Sequence, residues 1–284
     1  MTLLALAVGG RGIVDPDTPV LCADDEALLR GRAAFETMRV YAGTPFRLDE
    51  HLARLAASAE RIGLPEVDRG GLAELAALAL DHAGVADATL RVYWTAGREG
   101  SGRPTSAALV SHIPADLDER RARGARLISL TLGIDTRLRQ QSPWLLAGVK
   151  STSYAVNMAA EAEARRRGAE DAVFVSGDGL VLEGPVTNVW WRYGRTLETP
   201  SLDLGILAGV TRAEVLLQAA GLGYEVVEGS FPLARLAGAE EAFTSSSVRE
   251  IMPVIALDGV EYGDGTPGEA ALGFQAAIRR AAGV

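Results

Sequence analysis

The chain has 284 residues, a formal net charge of −9, 48% hydrophobic and 23% charged residues, an ordinary globular composition with material for about two domains. The acidic balance argues against a general nucleic-acid surface and leaves room only for a local arginine pocket for an anion. The single cysteine, Cys22, excludes an internal disulfide, and the scattered His51, His82 and His112 lack zinc-ligand spacing, so no metal site is expected.

The segment Met1 to Val8 is apolar but brief and lacks a basic leader, which predicts a first strand rather than a signal peptide. No run approaches the ~20 apolar residues of a membrane span, and the cytoplasm is the expected compartment. Strands and turns are predicted to residue 48, with a strand over 31–41 pairing back through the turn Ala42-Gly43-Thr44-Pro45. A helix follows, with Asp49 as its N-cap and Leu52, Leu55, Ala59 and Ile62 as its buried stripe. His51 and Ser58 share the face of Arg54. A second helix is predicted over 71–82, then strands over 88–95 and 106–113. In the first of these strands Thr89, Arg91 and Tyr93 share one face, and Leu90, Val92 and Trp94 the other, so one face can carry polar work.

Residues 114–124 form a charge run, read as a solvated linker. This gives a domain over 1–114, a linker over 115–124 and a second domain over 125–284 that carries Lys150. The second part is predicted to hold a strand over 125–132, a long loop to Lys150, a helix over 153–167, a hairpin around Ser176-Gly177-Asp178-Gly179, and helices over 211–221 and 267–282. The pattern is α+β, without βαβ alternation or a glycine-rich nucleotide fingerprint.

Two residues stand out chemically. Lys150 follows Trp144-Leu145-Leu146-Ala147-Gly148-Val149, and Glu183 lies in Leu182-Glu183-Gly184-Pro185. Each has a bland alternative, an exposed strand end and a solvent-facing turn residue. Together they read as the poles of a pyridoxal phosphate site: a lysine holds the aldehyde as a Schiff base, and a carboxylate keeps the pyridine nitrogen protonated. A phosphate needs backbone N–H groups, hydroxyls and an arginine. Gly209-Val210-Thr211-Arg212-Ala213-Glu214 and Ser245-Ser246-Ser247-Val248-Arg249-Glu250 both show capping-box spacing and offer the first two, and Arg54 offers the charge.

These stretches also carry a resemblance. Phe35-Glu36-Thr37-Met38-Arg39, Glu50-His51-Leu52-Ala53-Arg54-Leu55, Lys150-Ser151, Glu183-Gly184 with Asn188, the 205–212 segment Gly-Ile-Leu-Ala-Gly-Val-Thr-Arg, and Phe243-Thr244-Ser245-Ser246-Ser247 occur in the order found in class IV aminotransferases. The chain resembles that family from about Gly31 to Val254. The resemblance implies a two-domain fold type IV enzyme like D-amino acid aminotransferase, with a smaller α/β N-terminal domain, a larger barrel-like C-terminal domain, and pyridoxal 5′-phosphate between them in a homodimer. It implies Lys150 as the Schiff-base lysine and Glu183 as the acid on the ring nitrogen. Arg54, Val210, Thr211 and Ser247 become phosphate ligands, and Arg91, Thr37 and Arg39 substrate-binding residues. Where D-amino acid aminotransferases carry an arginine, this chain has Thr95-Ala96-Gly97, so their carboxylate anchor is expected to be absent, and Arg98 could substitute only through a loop shift. Thr37 and the segments around Lys150 and Ser247 resemble 4-amino-4-deoxychorismate lyases, which give 4-aminobenzoate and pyruvate for folate synthesis. The alternative is a transaminase moving an amino group from an amino acid or amine to an α-keto acid.

Overall fold

The computed structural model describes residues 2–284. They fall into two compact units. The first comprises the chain up to Ala115 with Val149–Tyr154 and Ala282–Val284; the second comprises Asp116–Gly148 and Ala155–Ala281.

The first unit contains β1 (Leu3–Val8), β2 (Gly12–Val14), α1 (Glu26–Arg30), β3 (Ala33–Tyr41), β4 (Thr44–Pro45), α2 (Leu48–Arg61), α3 (Arg69–Ala83), β5 (Ala88–Thr95) and β6 (Ser106–Ser111). The strands form one antiparallel sheet in the order β2-β1-β6-β5-β3-β4. Alternation sorts the residues of this sheet. Met38, Val40, Leu90 and Val92 turn to one face, where they pack with Leu52, Leu55 and Ala59 of α2 and Leu72 and Ala76 of α3. The 3–4-residue stripe predicted for α2 is this contact, and each fully buried leucine in it contributes about 1.5–3 kcal/mol. The cap differs from expectation. Arg47, at φ 58°, precedes the helix, and Asp49 lies in the first turn, where its charge still suits the helix dipole.

The second unit contains α4 (Leu117–Arg123), β7 (Ala125–Thr131), α5 (Thr136–Gln141), a 3₁₀ turn (Pro143–Leu145), α6 (Ala155–Arg166), β8 (Asp171–Val175), β9 (Asn188–Tyr193), β10 (Thr196–Pro200), α7 (Val210–Ala219), β11 (Glu225–Gly229), α8 (Leu233–Ala237), β12 (Glu241–Ser246), β13 (Glu250–Leu257), β14 (Val260–Glu261) and α9 (Glu269–Ala281). Its mixed sheet runs β11-β10-β9-β12-β13-β7-β8, with β14 added at β13. Beyond its ends, Val175 bridges Val181, Leu180 bridges Pro232 and Val181 N–H bonds Phe231 C=O. These links carry β8 round toward the chain just after β11, which gives the sheet its barrel-like form. Trp190, Leu197, Phe243 and Ile251 pack there with Val215 of α7 and Phe274 of α9.

Two expectations about domain organisation are corrected. The charge run is not a solvated linker: Leu117–Arg123 is a helix whose Leu117 and Arg121 are 2% and 7% exposed. Four residues apart, these two share the face that α4 buries. Lys150 does not group with the second unit. Residues 149–154 lie along β3, where Ala34 bridges Ser151, Phe35 N–H bonds Lys150 C=O and Thr152 N–H bonds Ala33 C=O. The loop before Lys150, expected to be irregular, holds α5 and the 3₁₀ turn. Among the described residues no helix is long and apolar enough to cross a membrane.

Candidate active site

In the first unit, pairing with β3 fixes the backbone of Lys150, and its own N–H bonds Ser58 Oγ of α2 at 3.2 Å. The lysine Nζ donates to Tyr154 Oη at 3.1 Å and stands 4.4 Å from the centroid of the Phe35 ring. Phe35 and Tyr154 meet edge-to-face, with centroids 5.1 Å apart. Two aromatic side chains, one of them a phenol, therefore hold the amine in place. Trp144, at the start of the apolar lead-in, is 74% exposed. Sequence reasoning did not place Tyr154, and it passed over a plain signal. Lys150 is the only lysine in the chain; every other position among the 28 Lys+Arg is arginine.

Beside this lysine lies a buried cluster. Glu36 of β3 is fully buried, and both its oxygens accept from Arg54, Oε1 from Nε and Oε2 from Nη2, each at 2.7 Å. His51 Nδ1 lies 2.7 Å from Oε2. Burial alone would raise the Glu36 pKa, but Arg54 and His51 overcome it and bring the group to about 2. Burial lowers the His51 pKa, against the pull of Glu36 and with help from the charges on Arg54 and Lys150, so the neutral ring donates Nδ1–H to the carboxylate. Arg54 and His51 lie three residues apart on the predicted face of α2. Glu36, on the preceding strand, is the partner that the helix periodicity did not supply.

On the opposite face of the same sheet, Arg91 lies in register with Thr37, and Arg91 Nε donates to Thr37 Oγ1 at 3.1 Å. Its guanidinium stands 5.7 Å from the Phe35 ring, the ring that also meets Lys150. No carboxylate among the described residues pairs with Arg91. Arg39, two residues from Thr37, is its diagonal neighbour at about 7–8 Å between backbones. The guanidinium of Arg39 lies 5.2 Å from the Tyr41 ring. Arg98, the substitute anchor, is instead an exposed ion-pair partner of Asp24 at 2.9 Å.

The second unit carries the acid. Glu183 follows the strand-like segment that pairs with β8 through Phe174 N–H to Glu183 C=O. Its Oε2 accepts Leu207 N–H at 3.0 Å and Asn188 Nδ2–H at 3.4 Å. Asn188 also donates to Leu207 C=O at 3.0 Å, which ties the acid to the 205–209 loop. That loop is held further by Arg139, whose Nε and Nη2 donate to the carbonyls of Leu204 and Gly205. The loop leads into α7. The capping box expected of Thr211 and Glu214 is absent: Gly209 is the N-cap, Val210 and Thr211 are the first two helical residues, and Glu214 accepts from Gln218. No side chain caps this start, so backbone N–H groups of the first turn are left for an anion. A β-carbon on Gly209 would collide with Asn188 Oδ1, so glycine is required there. Ser247 does not cap a helix either. It sits in the turn between β12 and β13, closed by the Ser246–Glu250 pair.

Each unit by itself offers kinds of group that pyridoxal phosphate needs: the first an amine among aromatic rings, the second a carboxylate fixed by an N–H and an amide and an uncapped helix start with a hydroxyl. The amino-transferase class IV family model matches residues 33–257. The chain is 36% identical over 257 residues to the bifunctional aminodeoxychorismate lyase / D-amino acid transaminase of Mycobacterium tuberculosis, covering 87% of this chain and 89% of that one. It is 32% identical over 278 residues to the aminodeoxychorismate lyase of Bacillus subtilis, covering 94% and 91%. The PLP-bound form of a hypothetical aminotransferase from Mycobacterium tuberculosis superposes with a TM-score of 0.91 at 34% identity over 98% of each chain. The chain belongs to the class IV aminotransferases, and is a pyridoxal phosphate-dependent enzyme of fold type IV.

Proposed function

We propose that the enzyme is a 4-amino-4-deoxychorismate lyase that forms 4-aminobenzoate and pyruvate. The observation that carries this reading is the pair Arg91 and Arg39 on one sheet face, with Thr37 beside Arg91. Aminodeoxychorismate carries two carboxylates, on the ring and on the enolpyruvyl side chain, and guanidinium groups suit both. When bound, the cofactor supplies an electron sink for the carbon that bears the substrate amine. Lys150 would hold the cofactor aldehyde, and its Nζ, oriented by Tyr154 Oη, would take and return the substrate's protons as general base and acid. Glu183 keeps the ring nitrogen protonated. Arg54, Val210, Thr211 and Ser247 bind the phosphate. A homodimer working in the cytoplasm on a small amino substrate belongs to the same proposal, supported by family membership.

Transamination is the second reading, favoured by the two activities named for the Mycobacterium tuberculosis relative. The test mixes the holoenzyme with aminodeoxychorismate and follows both products. Pyruvate and 4-aminobenzoate are expected in equal amounts. Pyruvate formation no faster than in an enzyme-free control overturns the lyase. Conversion of the cofactor to its amine form by D-alanine would establish transamination.

A variant probes the acid. Glu183→Gln retains the hydrogen bond from Leu207 but loses the charge, so turnover is expected to fall about 10²–10³-fold with cofactor still attached, as for loss of one preorganised electrostatic group. Steady-state kinetics with an absorption spectrum of the same sample checks both halves of that expectation.

A further inference from the structure

The turn that carries Ser247 ends on an acid in an unfavourable backbone conformation. Glu250 is 1% exposed and has φ 56°, in the left-handed region that a β-carbon disfavours. Its Oε2 receives Arg121 of α4 at 2.7 Å and Gln275 of α9 at 2.7 Å. Arg279 of α9 donates to Oε1 at 3.4 Å and Oε2 at 3.3 Å. Neutralising one buried carboxylate does not require two arginines and an amide. The same groups also grip the main chain on either side of Glu250. Arg121 donates to the carbonyls of Arg249 at 3.1 Å and Ile251 at 3.3 Å, and Gln275 Oε1 accepts Ile251 N–H at 3.0 Å. Asp118 joins α4 to α9 by accepting from both Arg121 and Arg279. On the other flank, Arg249 reaches Asp171 of β8 at 2.5 Å and Glu161 of α6 at 3.3 Å. Residues 249–251 are thus fixed by side chains from four elements outside their own hairpin.

We infer that Glu250, held by Arg121 and Arg279, is a positioning residue for the phosphate: the buried ion cluster sets the 247–249 turn so that Ser247 and its neighbouring backbone are ready for the anion. The charged helix α4 then serves cofactor affinity rather than connection. This rests on the proposal that Ser247 binds the phosphate.

The test titrates cofactor-free protein with pyridoxal phosphate and with pyridoxal, which lacks the phosphate, and follows the absorption of the lysine-linked ligand. Ser247→Ala and Glu250→Gln are each expected to raise the Kd for pyridoxal phosphate about tenfold and to leave that for pyridoxal within about twofold, the scale of one hydrogen bond to a charged group. A purely structural Glu250 would weaken both ligands alike, and that result overturns the inference. It is overturned alone if Ser247→Ala shows the phosphate-selective loss and Glu250→Gln does not. If Ser247→Ala changes neither Kd, the assignment of Ser247 fails and takes this inference with it. Should Glu250→Gln not fold, Arg279→Gln, whose side chain is 37% exposed, removes the outer contacts, and about a threefold selective loss is expected; equal loss for both ligands overturns the inference here too.

Discussion

Lys150→Ala is expected to lower turnover about 10³–10⁴-fold, because it removes the residue proposed both as covalent anchor and as the group that moves protons. The composition makes this variant unusually clean. It leaves no lysine anywhere in the chain, so no second ε-amine can take over. The fold should survive, since what secures residues 149–154 is backbone pairing with β3 and the bond from Lys150 N–H to Ser58, neither of which uses the lysine side chain. An added primary amine such as methylamine should restore part of the rate by supplying the missing base. Kinetics of the variant with and without methylamine are the check, and near wild-type turnover would remove Lys150 from the chemistry.

The second large effect is on stability. Glu36→Gln is expected to cost about 3–5 kcal/mol in cofactor-free protein, because it leaves the Arg54 charge without its buried counter-ion. Arg54 has 13% side-chain exposure and cannot turn to water for compensation at little cost. Urea unfolding measures this difference, and pyridoxal phosphate should recover more stability in the variant than in the wild type if Arg54 binds its phosphate. The pH dependence follows from the same groups. Glu36 moves from an ordinary 4.5 to about 2 in the folded protein, so its contribution is complete above about 4.5 and is lost as pH falls toward 2. His51 is also depressed, from 6.5, so the unfolded chain takes up its proton first and stability begins to decline as pH drops below about 6.5. Glu36→Gln should shrink the decline between 4.5 and 2 without removing it, since Glu163 and Asp178 are also held at about 2 by their hydrogen-bond partners. An unchanged acid limb would show that other carboxylates govern it.

Local periodicity made much of the fold legible. Alternation along 88–95 separated Arg91 from Val92 correctly, and the leucine stripe placed His51, Arg54 and Ser58 on one side of α2, where His51 and Ser58 are buried. What depended on distant partners was not legible. Seven-residue α4 buries only Leu117 and Arg121, too little apolar pattern to separate from a charged linker, and the acceptor that defines Arg121 lies 130 residues away at Ile251. The spacing of Ser247 and Glu250 suits a helix cap, yet antiparallel pairing of β12 with β13 turns the same residues into a hairpin. The bond from Leu207 N–H to Glu183 spans 24 residues of loop and strand, with no sequence period to announce it.

The claim on which the rest depends is that Lys150 carries the cofactor. Borohydride reduction of the holoenzyme, followed by peptide mass mapping, tests it directly. The expected result is one equivalent of pyridoxyl label per chain, all on the peptide containing Lys150, and none in Lys150→Ala. Cofactor that leaves the reduced protein on denaturation, with the Lys150 peptide unmodified, would contradict it.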